Sequence, residues 1–492
     1  MKAEEIHLIE SKHNAAIIAP AGHGKTEMIT EIVDKLPGKK LVLTHTNAGV
    51  AALAQRLSKK QIKKEKFHLS TISSFCMMWC GAYPKTADVN SGIGITDNEY
   101  YPMVHAGAAR IFSHLWARNV IKNTYACVIV DEYQDCVLNQ HQIFVEINKT
   151  VPVYVLGDPL QAIFGFKEHL VSWNNMCFDV LRNEIETYPW RWEKTNPALG
   201  RYLSTVRQEL LPSLDGREVR LSINTDETAV YKISPTSIHG PEFNYIMKQY
   251  KSILYIAKWP KDTASFAKGT GGLFQNDEKQ NLDELYKYAR LLDTDDGYAR
   301  ARSLFEFICE CSSNASTELK TYGGHIVAGD FDFHLARKYP EFGVRILKVY
   351  QTHSHNEMLA LLEWVRTSKS FRIHRQELFV EMQRAIRRSR DLQIPILQAA
   401  QEIRMIPGTQ SQYSGFKRLS SRTLLSKGLE FECVVIDLSK AQQGGSNRYS
   451  ATEMYVAMTR AMKAIYFITD YDHVILSVPQ STVYKGLHRV TV

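Results

Sequence analysis

Short apolar runs alternate with stretches of helical pattern through residues 1–185 of this 492-residue chain. Three of these runs, Ala15–Pro20, Cys127–Val130 and Val153–Leu156, have the length and continuity typical of buried parallel strands. Their alternation with helices predicts a parallel sheet wrapped by helices. Later strand-like runs, which predict a second lobe, are Ala229–Ile233, Ile253–Ala257, Cys433–Ile436 and Ala464–Ile468.

The first apolar run leads directly into A-P-A-G-H-G-K-T at residues 19–26. Glycines let the backbone curl so that its N–H groups point at phosphate oxygens, and a helix beginning near Lys25 adds the positive end of its dipole. Lys25 would reach the β- and γ-phosphates, and the Thr26 hydroxyl would ligate Mg²⁺. The pattern departs from G-x-x-x-x-G-K-[ST] only at its first glycine, which is an alanine here. The predicted nucleotide-binding residues are Ala19, Pro20, Ala21, Gly22, His23, Gly24, Lys25, Thr26 and Glu27.

Carboxylates follow the second of these strands directly, at Asp131 and Glu132. A buried parallel strand ending in two carboxylates suits Mg²⁺ chemistry, so Asp131 would hold the metal through water. Glu132 would orient and deprotonate an attacking water. The third strand ends in G-D-P-L-Q at 157–161, where Gln161 would hydrogen-bond the γ-phosphate. Taken singly, a solvated acidic turn and an ordinary turn glutamine are the alternatives.

From about residue 1 to 470, the chain resembles the UvrD-like helicases of superfamily 1A. Seven segments occur in the order and at spacings compatible with that family. They are T-H-T-N-A at 44–48, S-T-I-S-S-F at 70–75, D-E-Y-Q-D at 131–135, G-D-P-L-Q-A-I-F-G-F at 157–166, Y-P-W-R-W at 188–192, K-G-L-E-F at 427–431 and Y-V-A-M-T-R-A at 455–461.

The resemblance implies an α/β fold of two RecA-like P-loop NTPase lobes, with parallel sheets flanked by helices and small, mainly helical insertions. The expected segments are 1–75 and 125–185 for lobe 1A, 76–124 for a small 1B-type insertion, 186–277 and 416–492 for lobe 2A, and 278–415 for a shortened 2B-type helical insertion.

The resemblance also implies roles for single residues. Arg191 and Arg460 would act as arginine fingers from the second lobe, while Gly428 and Glu430 would lie near the γ-phosphate and ribose. Trp190 would stack on a nucleic-acid base or on the nucleotide base. The predicted nucleic-acid contacts are Thr44, His45, Asn47, Thr71, Phe75, Phe164, Phe166 and Lys167.

The chain departs from the family mainly on the nucleic-acid side. Ser73 and Leu424 stand where the family has histidines, and His45 stands where it has an aromatic residue. The adenine-reading glutamine is absent, and Glu4 and Glu5 occupy that region. Since a carboxylate cannot donate the second hydrogen bond of a glutamine amide, preference for ATP over other nucleotides stays open.

Charge agrees with a nucleic-acid partner without requiring one. The formal net charge is +8, with basic runs at 59–66 and 384–390, although such runs are commonly solvated helix faces. Eight scattered cysteines without a C-x-x-C pair indicate reduced thiols. The start of the chain does not resemble a signal peptide, and no apolar run approaches the ~18 residues of a membrane span. The sequence therefore predicts a cytoplasmic protein with no membrane partner.

Two functions are compatible with these features. The first is an ATP- and Mg²⁺-dependent motor that moves on single-stranded or partially duplex DNA, 3′→5′ as the resemblance implies. The second is a DNA-stimulated ATPase sensor that activates a separate nuclease-type subunit in DNA repair or antiviral defence. In length and layout the chain also resembles the helicase-like subunits of Gabija anti-phage systems, which work with such a partner.

Overall fold

The computed structural model describes residues 1–89, 99–164, 170–173, 176, 178–181, 185, 187–223, 229–237, 240–277, 282–332, 336–405, 417–441 and 445–478. The chain forms two compact units. The first comprises Met1–Lys232, Lys427–Glu430 and Leu438–Val492, and the second comprises Ile233–Ser426 and Phe431–Asp437.

The described helices, apart from short 3₁₀ turns, are α1 (Ala3–Ser11), α2 (Lys25–Lys35), α3 (Asn47–Lys59), α4 (Ile72–Ala82), α5 (Pro84–Ala87), α6 (Tyr100–Ser113), α7 (Leu115–Thr124), α8 (Leu138–Asn148), α9 (Trp190–Glu193), α10 (Pro197–Leu210), α11 (Pro241–Gln249), α12 (Pro260–Gly269), α13 (Leu282–Leu292), α14 (Gly297–Cys311), α15 (Ala315–Glu318), α16 (Lys320–Ala328), α17 (Pro340–Gln351), α18 (His355–Thr367), α19 (Gln376–Leu392), α20 (Ile396–Met405), α21 (Thr423–Ser426) and α22 (Ala451–Met458).

The described strands are β1 (Asn14–Ile18), β2 (Lys40–Thr44), β3 (Phe67–Thr71), β4 (Cys127–Val130), β5 (Val153–Gly157), β6 (Val180–Leu181), β7 (Val219–Ser222), β8 (Val230–Ile233), β9 (Ile253–Ile256), β10 (Gln275–Asp277), β11 (Arg418–Ser421), β12 (Phe431–Asp437), β13 (Ala461–Ile468) and β14 (His473–Leu476).

The first unit is built on a six-stranded sheet with the order β3-β2-β4-β5-β1-β6, and its strands pair in parallel. β2, β4 and β5 are buried along their whole length, as expected for strands covered on both faces by helices. In parallel strands the carboxyl ends meet at one edge of the sheet. The register pairs Ile18 of β1 with Gly157 of β5, so the segments that follow β1, β4 and β5 leave the sheet side by side.

Two helices of this unit, α3 and α4, begin at a short polar side chain that caps them. The Thr46 hydroxyl accepts a hydrogen bond from Gly49 N at the start of α3, and the Thr71 hydroxyl accepts one from Ser74 N at the start of α4. Such N-caps satisfy backbone donors that have no partner within the helix and typically contribute about 1 kcal/mol.

An aromatic cluster packs α4 against α6. Phe75 and Phe112 stack with parallel rings 5.8 Å apart, and Trp79 lies 4.8 Å from Phe112. All three side chains are buried. The first unit also contains the antiparallel pair β7–β14 and the hydrogen-bonded neighbours β8 and β13.

The second unit contains four parallel strands in the order β10-β11-β9-β12. Helices α13–α20 form a separate layer with a hydrophobic core that includes Phe307, Phe342 and Phe379. Together the two units confirm the predicted α/β class with parallel sheets flanked by helices. The subdomain bounds expected from the sequence stay a prediction. Among the helices of the described ranges, none combines the length and apolar character that crossing a membrane requires.

Replacing Phe112 with alanine should destabilise the first unit by about 3–5 kcal/mol, because the buried ring leaves a cavity between α4 and α6. Val120→Ala is the matched control, since this side chain is exposed on α7 and its truncation should change stability by no more than about 0.5 kcal/mol. Urea unfolding followed by circular dichroism measures both changes. Equal losses for the two variants would show that the aromatic cluster is not a core.

Candidate functional site

The loop between β1 and α2 curls tightly at two glycines. Gly22 has a φ of +72° and Gly24 a φ of +83°, a left-handed conformation that only glycine adopts at low cost. Gly24, the N-cap residue of α2, makes no side-chain hydrogen bond to the N–H groups of the first turn. Free N–H groups at a helix N-terminus, inside a glycine loop, suit a phosphate.

Lys25, the first residue of α2, meets the two carboxylates that follow β4. Its Nζ lies 2.6 Å from Glu132 Oε1 and 3.6 Å from Asp131 Oδ1. Burial alone would lower the pKa of Lys25, but the charges of Glu132 and Asp131 outweigh it and raise that pKa. Burial opposes the ionisation of Glu132 too, yet Lys25 and Lys427 hold its pKa well below the usual range. Glu132 is therefore an ionised carboxylate bound to a charged lysine.

Glu132 also adopts a left-handed backbone conformation, with a φ of +55°. This is uncommon for a residue with a side chain and costs of the order of 1–3 kcal/mol. Its carboxylate is held from the other side by Gln134, whose Nε2 donates to Oε2. The surrounding contacts thus fix the position of this carboxylate at the expense of local strain.

A divalent cation at this edge would have few protein ligands. Burial raises the pKa of Asp131 to about 6, and its Oδ1 accepts from Glu132 N at 2.9 Å. Within the part of the chain that the structure describes, no group of three His, Cys, Asp or Glu residues could hold a metal ion. Mg²⁺ is usually bound by one or two carboxylates plus substrate phosphates and water. The donors present, Asp131 and the Thr26 hydroxyl beside the loop, fit that pattern.

The structure brings Arg191 to the phosphate loop. Its backbone N donates to Gly22 O at 3.1 Å, and its side chain donates to Thr459 O at 2.6 Å and to Glu430 Oε1 at 2.5 Å. The side chain of Arg191 therefore lies between the loop and the segments at 427–430 and 459–461.

Arg460 is 3% exposed and lies in the same region. Its Nε donates to Val456 O at 2.9 Å, and its Nη2 donates to Thr459 Oγ1 at 3.0 Å. Burial and the nearby positive charge of Arg191 lower the pKa of Arg460 to about 9, while Glu430 and Glu132 oppose the shift. Arg460, Arg191 and Lys25 thus lie around one group of carboxylates rather than in separate clefts.

The remaining residues predicted to contact the nucleotide differ in exposure and in the partners they already have. Trp190 is 59% exposed, and its Cδ1 would lie 3.1 Å from a Cβ added at Gly24, so its ring is available beside the loop. Gly428 is left-handed with φ +86°. Glu27 is already paired, to Arg56 Nε at 3.2 Å and to Lys60. It faces α3 through these contacts.

The predicted nucleic-acid contacts differ sharply in exposure. Thr44 and Thr71 are buried, and Thr71 serves as the N-cap of α4. Phe75 is 2% exposed within the aromatic cluster and offers no ring face to a base, so it is a core residue. Phe164 is 38% exposed. Phe166, Lys167 and the side chain of Asn47 lie outside the described residues.

His45 is half-buried, with its Nε2 3.5 Å from Cys136 Sγ. Burial and the charge of Lys427 lower the pKa of His45 to about 3, so it is neutral at pH 7. Ser73, which stands where the UvrD-like helicases that the sequence resembles have a histidine, contacts a histidine from another helix. Ser73 Oγ lies 3.1 Å from Nε2 of the buried His105 on α6.

Lys427 was not singled out as a site residue from the sequence, although it begins K-G-L-E-F. Its Nζ donates to Asp135 Oδ2 and to Gln161 O, the latter at 2.8 Å, and lies 5.1 Å from the centre of the Phe164 ring. Burial raises the pKa of Asp135 to about 6, although Lys427 opposes the shift. One ammonium group thus joins the carboxylate segment, the backbone of Gln161 and an exposed aromatic ring.

Comparison with known proteins adds a match over the N-terminal third of the chain. A family model described as an AAA domain matches residues 3–167, which include the phosphate loop, the carboxylate pair and Gln161. No curated protein matches the chain. Among solved structures, Pif1 helicase from Bacteroides, in complex with ADP-AlF3 and ssDNA, aligns at 12% identity and a TM-score of 0.29, over 55% of this chain and 56% of that one.

Gly22→Ala should weaken nucleotide binding by about tenfold or more, equivalent to at least about 1.4 kcal/mol. The added Cβ would lie 2.8 Å from Trp192 Cζ3 in a left-handed backbone, so the loop must shift. Equilibrium titration with a fluorescent ADP analogue measures the effect.

Gly216→Ala is the matched control for that substitution. Gly216 has a φ of +84° with open space around an added Cβ, so only the backbone strain of about 1–2 kcal/mol should appear in its stability. Its nucleotide affinity should equal that of the parent. Unchanged affinity in Gly22→Ala would contradict the placement of the phosphates.

Acid should destabilise the first unit partly through His105. Burial lowers the pKa of His105 to about 4, whereas an unfolded histidine titrates near about 6.5. The unfolded chain then binds a proton that the folded one does not, so this contribution is complete above about pH 6.5 and is lost as the pH falls toward 4. The loss at pH 5 is about 1–2 kcal/mol.

His105→Gln keeps a hydrogen-bonding group near Ser73 and Gln140 but cannot titrate. Its free energy of unfolding, measured in urea at pH 7.5 and 5.0, should therefore decline less than that of the parent. His114→Gln, at an exposed histidine, is the control. A decline in His105→Gln as steep as in the parent would contradict the assignment.

Proposed function

We propose that this protein is an ATP-dependent DNA translocase or helicase that moves on single-stranded DNA, 3′→5′. The observation that carries the proposal is the convergence of Lys25, Glu132, Arg191 and Arg460 around one loop, with Lys427 linking the carboxylate segment to the exposed ring of Phe164. A nucleotide site connected to an aromatic surface is what a nucleic-acid motor needs.

The loop N–H groups and Lys25 would bind the phosphates, and Thr26 with Asp131 would hold Mg²⁺. The metal supplies charge neutralisation on the phosphates when bound. Glu132 is ionised and fixed by Gln134, so it would accept a proton from water. Arg191 and Arg460 would neutralise developing negative charge, and Gln161 would hydrogen-bond the γ-phosphate. Trp190 would stack on the nucleotide base.

Strand binding would use Phe164, together with Phe166 and Lys167 of the same motif. Base stacking on an aromatic side chain contributes about 1–3 kcal/mol per base and tolerates any sequence. Melting one base-pair step costs about 1.4 kcal/mol on average. One nucleotide per ATP is therefore an energetically consistent step.

A second function is favoured by a specific observation. Thr44, Thr71 and Phe75 are buried, so three of the strand contacts implied by the resemblance are not available at the surface of the first unit. Weak binding to DNA is more compatible with a DNA-stimulated ATPase that signals to a nuclease-type partner than with a processive motor.

An assay with partial duplexes that carry a 3′ or a 5′ overhang, incubated with the protein and ATP, distinguishes the two functions. Displacement from the 3′ overhang supports the motor, whereas DNA-stimulated hydrolysis without displacement supports the sensor. Lys25→Ala and Glu132→Gln should each abolish hydrolysis. Parental hydrolysis rates in either variant would contradict both functions, because both require this site.

Arg191→Ala and Arg460→Ala should each lower kcat by about 10³–10⁵-fold, the range for arginine fingers, while nucleotide binding stays measurable. Steady-state phosphate release and titration with a fluorescent ADP analogue give the two quantities. Arg201→Ala, at an exposed arginine on α10, is the control and should behave as the parent. A kcat in the two finger variants within about tenfold of the parent, well short of that range, would show that these guanidinium groups have another role.

A further inference from the structure

Asp158 is a fully buried carboxylate that the proposed mechanism leaves without a role. It follows β5 and accepts hydrogen bonds at its Oδ2 from Ala21 N at 3.2 Å and from Gln161 Nε2 at 3.1 Å. One oxygen atom therefore holds both an N–H group of the phosphate loop and the amide proposed to contact the γ-phosphate.

The other oxygen of Asp158 meets Arg207, a buried residue of α10. Arg207 Nη1 donates to Oδ1 at 2.7 Å, and Leu160 N donates to the same atom at 3.3 Å. A buried charge without a partner is strongly unfavourable, and Arg207 is the charged partner of Asp158. Sequence patterns gave no sign of this pair, whose members are 49 positions apart.

Arg207 also contacts the segment that carries Arg460. Its Cζ lies 5.6 Å from the centre of the Tyr455 ring, within cation–π range. Tyr455 is buried in α22. Arg207 thus lies between the carboxylate that holds the phosphate loop and the helix that leads to an arginine finger.

A further path leads from Asp158 to the proposed general base. Asp158 N donates to Gln134 Oε1 at 3.0 Å, and Gln134 Nε2 donates to Glu132 Oε2. The backbone and side chain of Asp158 together therefore contact the loop, Gln161 and, through Gln134, the catalytic glutamate. A displacement of Asp158 would move all three.

We infer that Arg207 is a positioning residue for hydrolysis: by neutralising Asp158, it sets how firmly that carboxylate holds the Gln161 amide and the Ala21 N–H group. Hydrogen bonds to an ionised acceptor are roughly twice as strong as neutral ones. Without the guanidinium, Asp158 would lose its partner at Oδ1 and shift toward its remaining donors. This change misplaces Gln161 relative to the γ-phosphate. This inference rests on the proposed ATPase function.

Arg207→Met keeps much of the side-chain volume and removes the charge, whereas Arg207→Lys keeps the charge. For Arg207→Met, kcat should fall by about 10- to 10²-fold, the effect of a misplacement of about 1 Å near a reacting centre. The dissociation constant of a fluorescent ADP analogue should change by less than about threefold, which corresponds to a free-energy change under about 0.7 kcal/mol. Arg207→Lys should recover a substantial part of kcat.

Arg118→Met is the matched control, because Arg118 forms a comparable partly buried pair with Glu146, at 3.1 Å, on α7 and α8. It should lower stability without lowering kcat. The double variant Arg207→Met/Asp158→Asn removes both charges and guards against a single variant that does not fold. Its loss of kcat should be smaller than the product of the two single losses.

Two results would overturn the inference while leaving the proposed function in place. One is parental kcat in folded Arg207→Met. The other is a parallel fall of kcat, nucleotide affinity and melting temperature that Arg207→Lys does not rescue, which would mark a purely structural pair. Absence of nucleotide hydrolysis in the parent protein overturns the proposed function itself, and the inference with it.

Discussion

The need to pair every buried charge is the constraint on which the site in the first unit depends. The carboxyl edge of one parallel sheet collects acidic groups that water cannot solvate, and basic groups from distant segments neutralise them. The pairs are Lys25 with Glu132 and Asp131, Lys427 with Asp135, and Arg207 with Asp158. Removing one partner from such a pair is far more costly than replacing both, so these contacts fix the loops to one another.

This pairing also suggests how the proposed nucleotide site exchanges partners. The cations that now neutralise carboxylates, Lys25 and Arg191 above all, are those expected to bind a triphosphate. An incoming polyphosphate competes for them, and Asp131 and Glu132 are then freed for metal and water. The buried charges around the loop therefore set both the stability of this region and its readiness to bind an anion.

Local signals in the sequence predicted the elements that carry local chemistry. The strands at β1, β4 and β5, the glycine loop and the start of α2 follow from apolar runs and glycine conformation, and the structure has each of them. The N-cap role of Thr71 has a local signal, a threonine directly before an apolar helix, whereas the family resemblance predicts a DNA contact at this residue. Phe75 and Trp79 are four residues apart on α4, a spacing that also predicts the buried face of a helix, and Phe75 lies in that buried face.

The long-range pairs could not be predicted in this way. Arg207 with Asp158, and Lys427 with Asp135, join segments that no periodicity relates, and their proximity follows from how α10 and the 427–430 segment pack. The Ser73–His105 contact is similar, because a departure from a motif gives no hint of which distant side chain fills the space. Sequence indicates which groups need partners, whereas packing decides which groups supply them.

The link from Phe164 through Lys427 to the carboxylates also limits how strongly DNA could act through that ring alone. A ligand shifts an equilibrium only by its difference in affinity for the two states. Stacking one base contributes about 1–3 kcal/mol, so full gain of that contact in one state alone would change its population by about 5- to 150-fold. Stimulation of hydrolysis beyond that range requires further strand contacts that respond to the same change. The ring, the ammonium group and the carboxylate segment would then form one part of a larger nucleic-acid surface, and the stacking energy of one base would set the most that this part contributes.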